Sequence, residues 1–243
     1  MKNRKPNYGL DAPEVVRRLF FIGIMLLAVG VGLMFVQGSF PILRWFVPAF
    51  FGAGASLLGT SLIMVWGSKC GKLRLRDKLI ATLSLRGDER VLDVGCGHGL
   101  MLLGAAKKLT TGRAIGIDLW QNEDQAGNSR EATLENAALE GVKERVELHN
   151  GDARQMPFEK ESFDAIVSSW ALHNIYDAAG RRQALEEIVR VLKPAGRVLL
   201  TDIRHAREYA EVFRALGLAD VKVSPPNFTF VIPSRCVTAR KAG

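Results

Sequence analysis

The sequence predicts an α/β protein, a doubly wound and mostly parallel sheet preceded by two transmembrane helices. Three observations carry that expectation. From residue 79 onward, short apolar runs alternate with helical patterns. The first of those runs ends in a cluster of glycines, "VLDVGCGHGL", with glycine at positions 95, 97 and 99. Ahead of them stand two long stretches without a charged residue, Leu19–Val36 and Trp45–Trp66.

Eighteen uncharged residues in helical form span about 27 Å, the hydrocarbon thickness of a bilayer. The second stretch is bracketed by tryptophans, which membrane interfaces favour. Gly52, Ser56 and Thr60 fall at i, i+4 and i+8, a small-residue stripe expected to admit a neighbouring helix. A cleaved signal peptide would not be followed at once by a second span. Five Lys/Arg precede the first stretch, five follow the second, and the connection 37–44 holds only Arg44. Positive charge stays cytoplasmic, so both ends of the hairpin are expected on that side. The expected organisation is a basic cytoplasmic N-terminus over 1–18, a membrane hairpin over 19–66, a basic juxtamembrane linker over 67–78 and a cytoplasmic domain over 79–243. The flank "SKCGKLRLRDK" suits anionic headgroups, which makes membrane lipids an expected partner, although a solvated face explains the same charges.

Charge is unevenly placed. Residues 1–78 carry 11 Lys/Arg against 3 Asp/Glu, whereas residues 79–243 carry 22 of each. The larger domain has no bias toward a nucleic-acid partner. Cys70, Cys96 and Cys236 are few and scattered, forming neither a disulfide framework nor a metal cluster. The four histidines lack zinc-site spacing, so no metal is expected.

Strands are predicted at 90–94, 113–118, 145–150, 163–169 and 196–203, most of them separated by helical patterns. Leu185, Ile188, Val189 and Leu192 share one helix face, and "KPAG" at 193–196 is expected to end that helix. Strands apolar on both faces and joined by helices imply a parallel sheet covered on both sides. "ADVKV" (219–223) and "TFVIP" (229–233) suggest an antiparallel pair at the edge.

In such a sheet the ligand lies beyond the carboxyl ends of the strands. Gly95 and Gly97 allow a tight turn and a close backbone approach, with Gly99 completing the loop. Asp118 ends the second strand, where a carboxylate accepts the hydroxyls of a ribose. Asp93, two residues before the first glycine, would repel a pyrophosphate and suits a ligand bearing an ammonium group.

Residues 72 to about 240 resemble the class I S-adenosylmethionine (SAM)-dependent methyltransferases, small-molecule branch. "VLDVGCGHG", "AIGIDLW", "NGDARQMPF", "ESFDAIVSSWALHNI" and "ALEEIVRVLKPAGRVLLTD" look like that family's motifs, in order. The resemblance implies a Rossmann-like sheet of seven strands, the last antiparallel, and SAM as cofactor. It implies cofactor contacts from Asp93, Gly95, Cys96, Gly97 and Gly99, and from Asp118 and Leu119. Asp152 would accept from the adenine amino group beside Ala153, and Ser168 and Ser169 would lie by the amino-acid tail.

Candidate acceptor residues come from loops at the same edge: Trp120 and Asn122 in "LWQNEDQAGNSRE", Trp170 and Asn174 in "SWALHNIYD", and Arg204 beside Asp202. His173 is the candidate general base. Each has an ordinary alternative as loop packing or a structural hydrogen bond. Cys96 has no evident base beside it and is not expected to be a nucleophile. The expected function is a membrane-anchored methyltransferase acting on a small, lipophilic or membrane-associated acceptor. The alternatives are a membrane-tethered SAM-binding subunit without catalysis and a nicotinamide-dependent oxidoreductase. No nucleic-acid acceptor is expected, and the oligomeric state is left open.

Overall fold

The computed structural model describes residues 4–120, 128–229 and 232–243. It divides into two compact units. One is Leu10–Gly71; the other is Lys72–Gly243 together with the described residues ahead of Leu10.

The smaller unit is a helical pair, α1 (Pro13–Val36) and α2 (Val47–Trp66). Both are long and apolar enough to cross a membrane by length and composition, and only 11% of each apolar window is buried. The pair meets at glycines. A Cβ on Gly23 would stand 2.8 Å from Leu58, and one on Gly54 would stand 2.9 Å from the Gly23 carbonyl. The expected small-residue stripe is therefore displaced: Gly54 makes the close approach, while Gly52 and Ser56 are exposed. Gly54 is two residues from Gly52, and two residues turn a helix by more than half a revolution, to its other side.

The larger unit opens with α3 (Lys72–Thr82), whose Lys72, Arg76 and Ile80 are buried at i, i+4 and i+8. The sheet follows as β1 (Arg90–Val94), β2 (Arg113–Asp118), β3 (Val146–Asn150), β4 (Phe163–Ser169), β5 (Leu192–Asp202), β6 (Ala219–Val223) and β7 (Arg235–Arg240). Its order is β3-β2-β1-β4-β5-β7-β6, with β7 antiparallel to both neighbours. The reversal of direction from β1 to β2 on one side and β4 on the other creates the crevice into which the first loop opens. Helices α4 (Leu100–Ala106), α5 (Arg130–Leu139), α6 (Ala178–Val191) and α7 (Ala206–Ala215) complete the fold.

Two cores make the sheet rigid. Leu92, Ile115, Ile166, Leu185 and Phe213 belong to one; Val91, Leu102, Leu103, Ala165 and Leu199 belong to the other. Neighbouring residues of one strand thus divide between the two cores, as the period of two in a pleated strand requires. Each fully buried Leu, Ile or Phe stabilises the fold by about 1.5–3 kcal/mol.

Two boundaries depart from expectation. β5 begins at Leu192, so "KPAG" lies inside the strand, with Ala195 at φ 60°. The pairing with β4 shifts register between Phe163 and Ala165 and accommodates the irregularity. The last strand is "RCVTAR": Val237 and Ala239 alternate inward, and of "TFVIP" the described Thr229, Ile232 and Pro233 lie outside any strand. Phe230 and Val231 of "TFVIP" lie outside the described residues.

Candidate active site

The loop after β1 places all three glycines in the left-handed region, with φ of 70° at Gly95, 47° at Gly97 and 85° at Gly99. A Cβ on Gly95 would stand 2.2 Å from Ala171 Cβ, and one on Gly99 would stand 2.9 Å from Thr133. Backbone freedom and close approach are both required here. Polar contacts hold the loop from three sides. Gly97 N–H donates to Asp118 Oδ2 (2.8 Å), and Gly95 N–H to the Ile117 carbonyl (2.8 Å). Thr133 Oγ1 donates to the Gly97 carbonyl (2.6 Å) and Asn136 Nδ2 to the His98 carbonyl (3.0 Å).

Asp93 is 2% exposed. Its Oδ2 accepts from Leu102 N–H (2.8 Å), while Oδ1 has no hydrogen-bond partner among the described residues. Burial, with a smaller contribution from the Asp118 charge, pushes its carboxyl up to about 7. An orphaned buried carboxylate oxygen beside a glycine loop fits a cationic ligand group. Cys96 is buried too; burial and the charges of Asp93 and Asp118 push its thiol well above the ordinary range, the opposite of what a nucleophile needs.

Asp118 ends β2. Oδ1 accepts from Trp120 N–H (2.7 Å) and Asn128 Nδ2 (3.2 Å), in addition to the Gly97 bond on Oδ2. A carboxylate offers about four lone-pair positions. With three in use, taking both hydroxyls of a ribose requires one present donor to yield. Asp152 is similarly engaged: Arg154 Nε and Nη2 and the Arg154 N–H all donate to it, at 2.6–3.0 Å. The Arg154 side-chain hydrogen bond holds the Asp152 carboxyl below its ordinary range despite partial burial. An adenine amino group has to displace a half-exposed arginine, a small cost for a surface pair. Ala153 is half-buried against the core, and Leu119 is 46% exposed.

Ser168 Oγ donates to the Val94 carbonyl (2.7 Å) and is 2% exposed, so this side chain ties β4 to β1. Ser169 and Trp170 follow at the strand end, half-buried. Trp120, Trp170 and His205, after β2, β4 and β5, all take positive φ, 54–60°. Such conformations cost energy in residues other than glycine and gather at functional edges.

The remaining candidates lie at the ends of β4 and β5. His173 Nδ1 stands 2.6 Å from Asp202 Oδ1, an approach that is short but not in line with the ring N–H. Asp202 is 3% exposed; its Oδ1 accepts from Ile203 N–H (2.7 Å), and its Oδ2 from Tyr209 OH (3.1 Å) and His173 N–H (3.2 Å). Burial and Asp202 push the Tyr209 phenol upward, so it stays a donor. Asn174 is half-buried one residue on, and Arg204 is exposed at the same edge. Asn122 lies outside the described residues. The sequence reading missed Thr133, Asn136 and Tyr209. The signal of the first two, polar groups at i and i+3 on one helix, is common on solvated faces and becomes informative only once the positions are known to be buried.

Residues 92–200 match the family described as "Methyltransferase domain". This stretch is similar to methyltransferase domains. The chain is 34% identical over 123 residues to a demethylmenaquinone methyltransferase of Symbiobacterium thermophilum, covering 50% of this chain and 45% of that one. It is 34% identical over 125 residues to a Staphylococcus aureus protein of the same name, covering 51% and 47%. The match thus spans about half the length of these relatives. Among solved structures, a SAM-dependent methyltransferase from Aquifex aeolicus is similar with a TM-score of 0.55 at 21% identity, over 71% of this chain and 93% of that one. Phosphoethanolamine N-methyltransferase 2 of Haemonchus contortus, in complex with SAM, has a TM-score of 0.59 at 18% identity, over 70% and 53%. At these identities the structures establish the fold alone.

Proposed function

We propose that this protein is a membrane-tethered methyltransferase whose acceptor is a small lipophilic molecule of the quinol type, with His173 as general base. The observation that carries it is the pairing of His173 with buried Asp202 at the sheet edge that bears the glycine loop. With Nδ1 against the Asp202 carboxylate, Nε2 is the ring nitrogen left to accept a substrate proton. The relatives named for demethylmenaquinone support a small lipophilic acceptor of the quinone type.

Bound SAM supplies an electrophilic methyl group on a sulfonium. The glycine loop at 95–99 would lie against its carboxylate, and the free oxygen of Asp93 would receive its ammonium, Asp118 the ribose and Asp152 the adenine amino group. The acceptor sits between this cofactor site and His173, near Trp120, Trp170, Asn174 and Arg204. His173 takes the hydroxyl proton on Nε2, and Asp202 stabilises the resulting imidazolium. Alignment supplies much of the acceleration in such a displacement.

Two features support tethering. α1 and α2 have the length and hydropathy of spans. Lys72 Nζ donates to the carbonyls of Tyr8 (2.7 Å) and Gly9 (3.0 Å), so the chain leaves and re-enters the larger unit at one point, as a hairpin with both ends on one side of a bilayer needs. The charge bias supports the cytoplasm as that side. The test is methyl transfer by the full chain in lipid nanodiscs, from labelled SAM to a long-tailed and a short-tailed quinol. Transfer to both, faster to the long-tailed one, is expected. Binding of S-adenosylhomocysteine without transfer to either would instead favour a non-catalytic SAM-binding subunit.

A further inference from the structure

The segment ahead of α1 packs onto the larger unit. Tyr8 is 5% exposed, and its hydroxyl donates to Glu140 Oε1 (2.7 Å). The Arg76 guanidinium lies over its ring, 5.8 Å from the centroid. Glu140 also pairs with Lys107. One residue earlier, Asn7 N–H donates to Asn136 Oδ1 (2.8 Å), and the Asn7 carbonyl accepts from Asn136 Nδ2 (2.9 Å). That same Nδ2 donates to the His98 carbonyl in the glycine loop, and Asn136 is 3% exposed. One amide therefore joins residues 129 positions apart to the cofactor loop.

We infer that Arg4–Gly9 is a positioning strap for the cofactor loop, acting through Asn136. The physical reason lies in the trans peptide, whose carbonyl and following N–H point in opposite directions. Thr133 and Asn136 hold the Gly97 and His98 carbonyls toward α5; the first directs the His98 N–H away from it, and the Gly99 N–H that follows the second closes the turn on the Cys96 carbonyl (2.8 Å). A primary amide has only two N–H donors. Asn136 uses both on backbone carbonyls, and the pair of bonds to Asn7 fixes its rotamer. Without the strap the amide is free to turn, and the loop loses a constraint on the turn that presents the His98 N–H to the cofactor. The inference rests on SAM binding at this loop and not on the identity of the acceptor.

The test is calorimetry of the full chain in detergent micelles with S-adenosylhomocysteine, with the thermal midpoint measured in parallel. Asn136→Ala is expected to raise Kd about tenfold, the equivalent of one buried hydrogen bond, and to raise KM for SAM while leaving kcat at saturating SAM unchanged. Asn7→Pro removes a single N–H and is expected to weaken binding severalfold; Asn7→Ala keeps both backbone bonds to Asn136 and is expected to bind within about twofold of the parent. These two variants decide the matter even if Asn136→Ala fails to fold. A lowered midpoint with unchanged Kd in Asn136→Ala, or equal Kd in the two Asn7 variants, overturns the strap. Failure of the parent chain to bind S-adenosylhomocysteine overturns the cofactor reading and the strap with it.

Discussion

Two buried aspartates divide the carboxyl edge of the sheet into unlike halves. Asp93, after β1, has one N–H donor and one orphaned oxygen, and burial pushes its carboxyl up to about 7. Asp202, after β5, is equally buried but accepts from two backbone N–H groups and Tyr209, with His173 against it. The first is an incomplete site that needs a cation from outside. The second is complete and serves to orient another side chain. Equal burial produces opposite chemistry because the number of donors differs.

If the halves are separate in function, the largest effect belongs to the acceptor side. His173→Gln is expected to lower kcat by about 10²–10⁴ while S-adenosylhomocysteine binds as in the parent, measured by single-turnover transfer and calorimetry. A matching loss of binding would merge the halves. On the cofactor side, Gly95→Ala places a Cβ at φ 70° and 2.2 Å from Ala171. Left-handed strain and overpacking together predict an affinity loss of about 10–100-fold.

The orphaned oxygen of Asp93 makes a pH-dependent prediction. A cation requires the carboxylate, so affinity for S-adenosylhomocysteine is expected to fall about tenfold per unit as pH drops below about 7, and Asp93→Asn is expected to flatten the profile. The ligand-free protein behaves the opposite way. A carboxyl raised from 3.8 to about 7 on folding binds more protons folded than unfolded between those values. Stability without ligand should therefore decline as pH rises through that window, read as the thermal midpoint. The smallest effect is at Asp152. Arg154→Ala removes an exposed ion pair, and KM for SAM is expected to stay level or fall, because Asp152 is freed for the adenine.

Much of the fold was legible before the structure. The boundaries of β1, β2, β4 and β6 coincide with the apolar runs, because buried parallel strands leave an uninterrupted hydrophobic signature. β7 was missed because "RCVTAR" is short, mixed and antiparallel, and its register is set by β5 rather than by its own pattern. The candidate site divides in the same way. Glycine spacing and the strand-end carboxylates announce themselves, since few residue types meet those backbone demands. Asp202 against His173 joins positions 29 residues apart and has no local signature.

By itself the sequence determined the alternation of strands and helices, the glycine loop and the two apolar helices. All of these are local patterns, set by backbone sterics and hydrophobic periodicity. Tertiary structure alone decided that Gly54 rather than Gly52 makes the close helix contact, that Ser168 braces the sheet, and that Asp118 and Asp152 are already engaged. It also decided that residues 4–9 reach the cofactor loop through Asn136. These are hydrogen bonds and burials between distant segments, and they exist only once the chain has closed on itself.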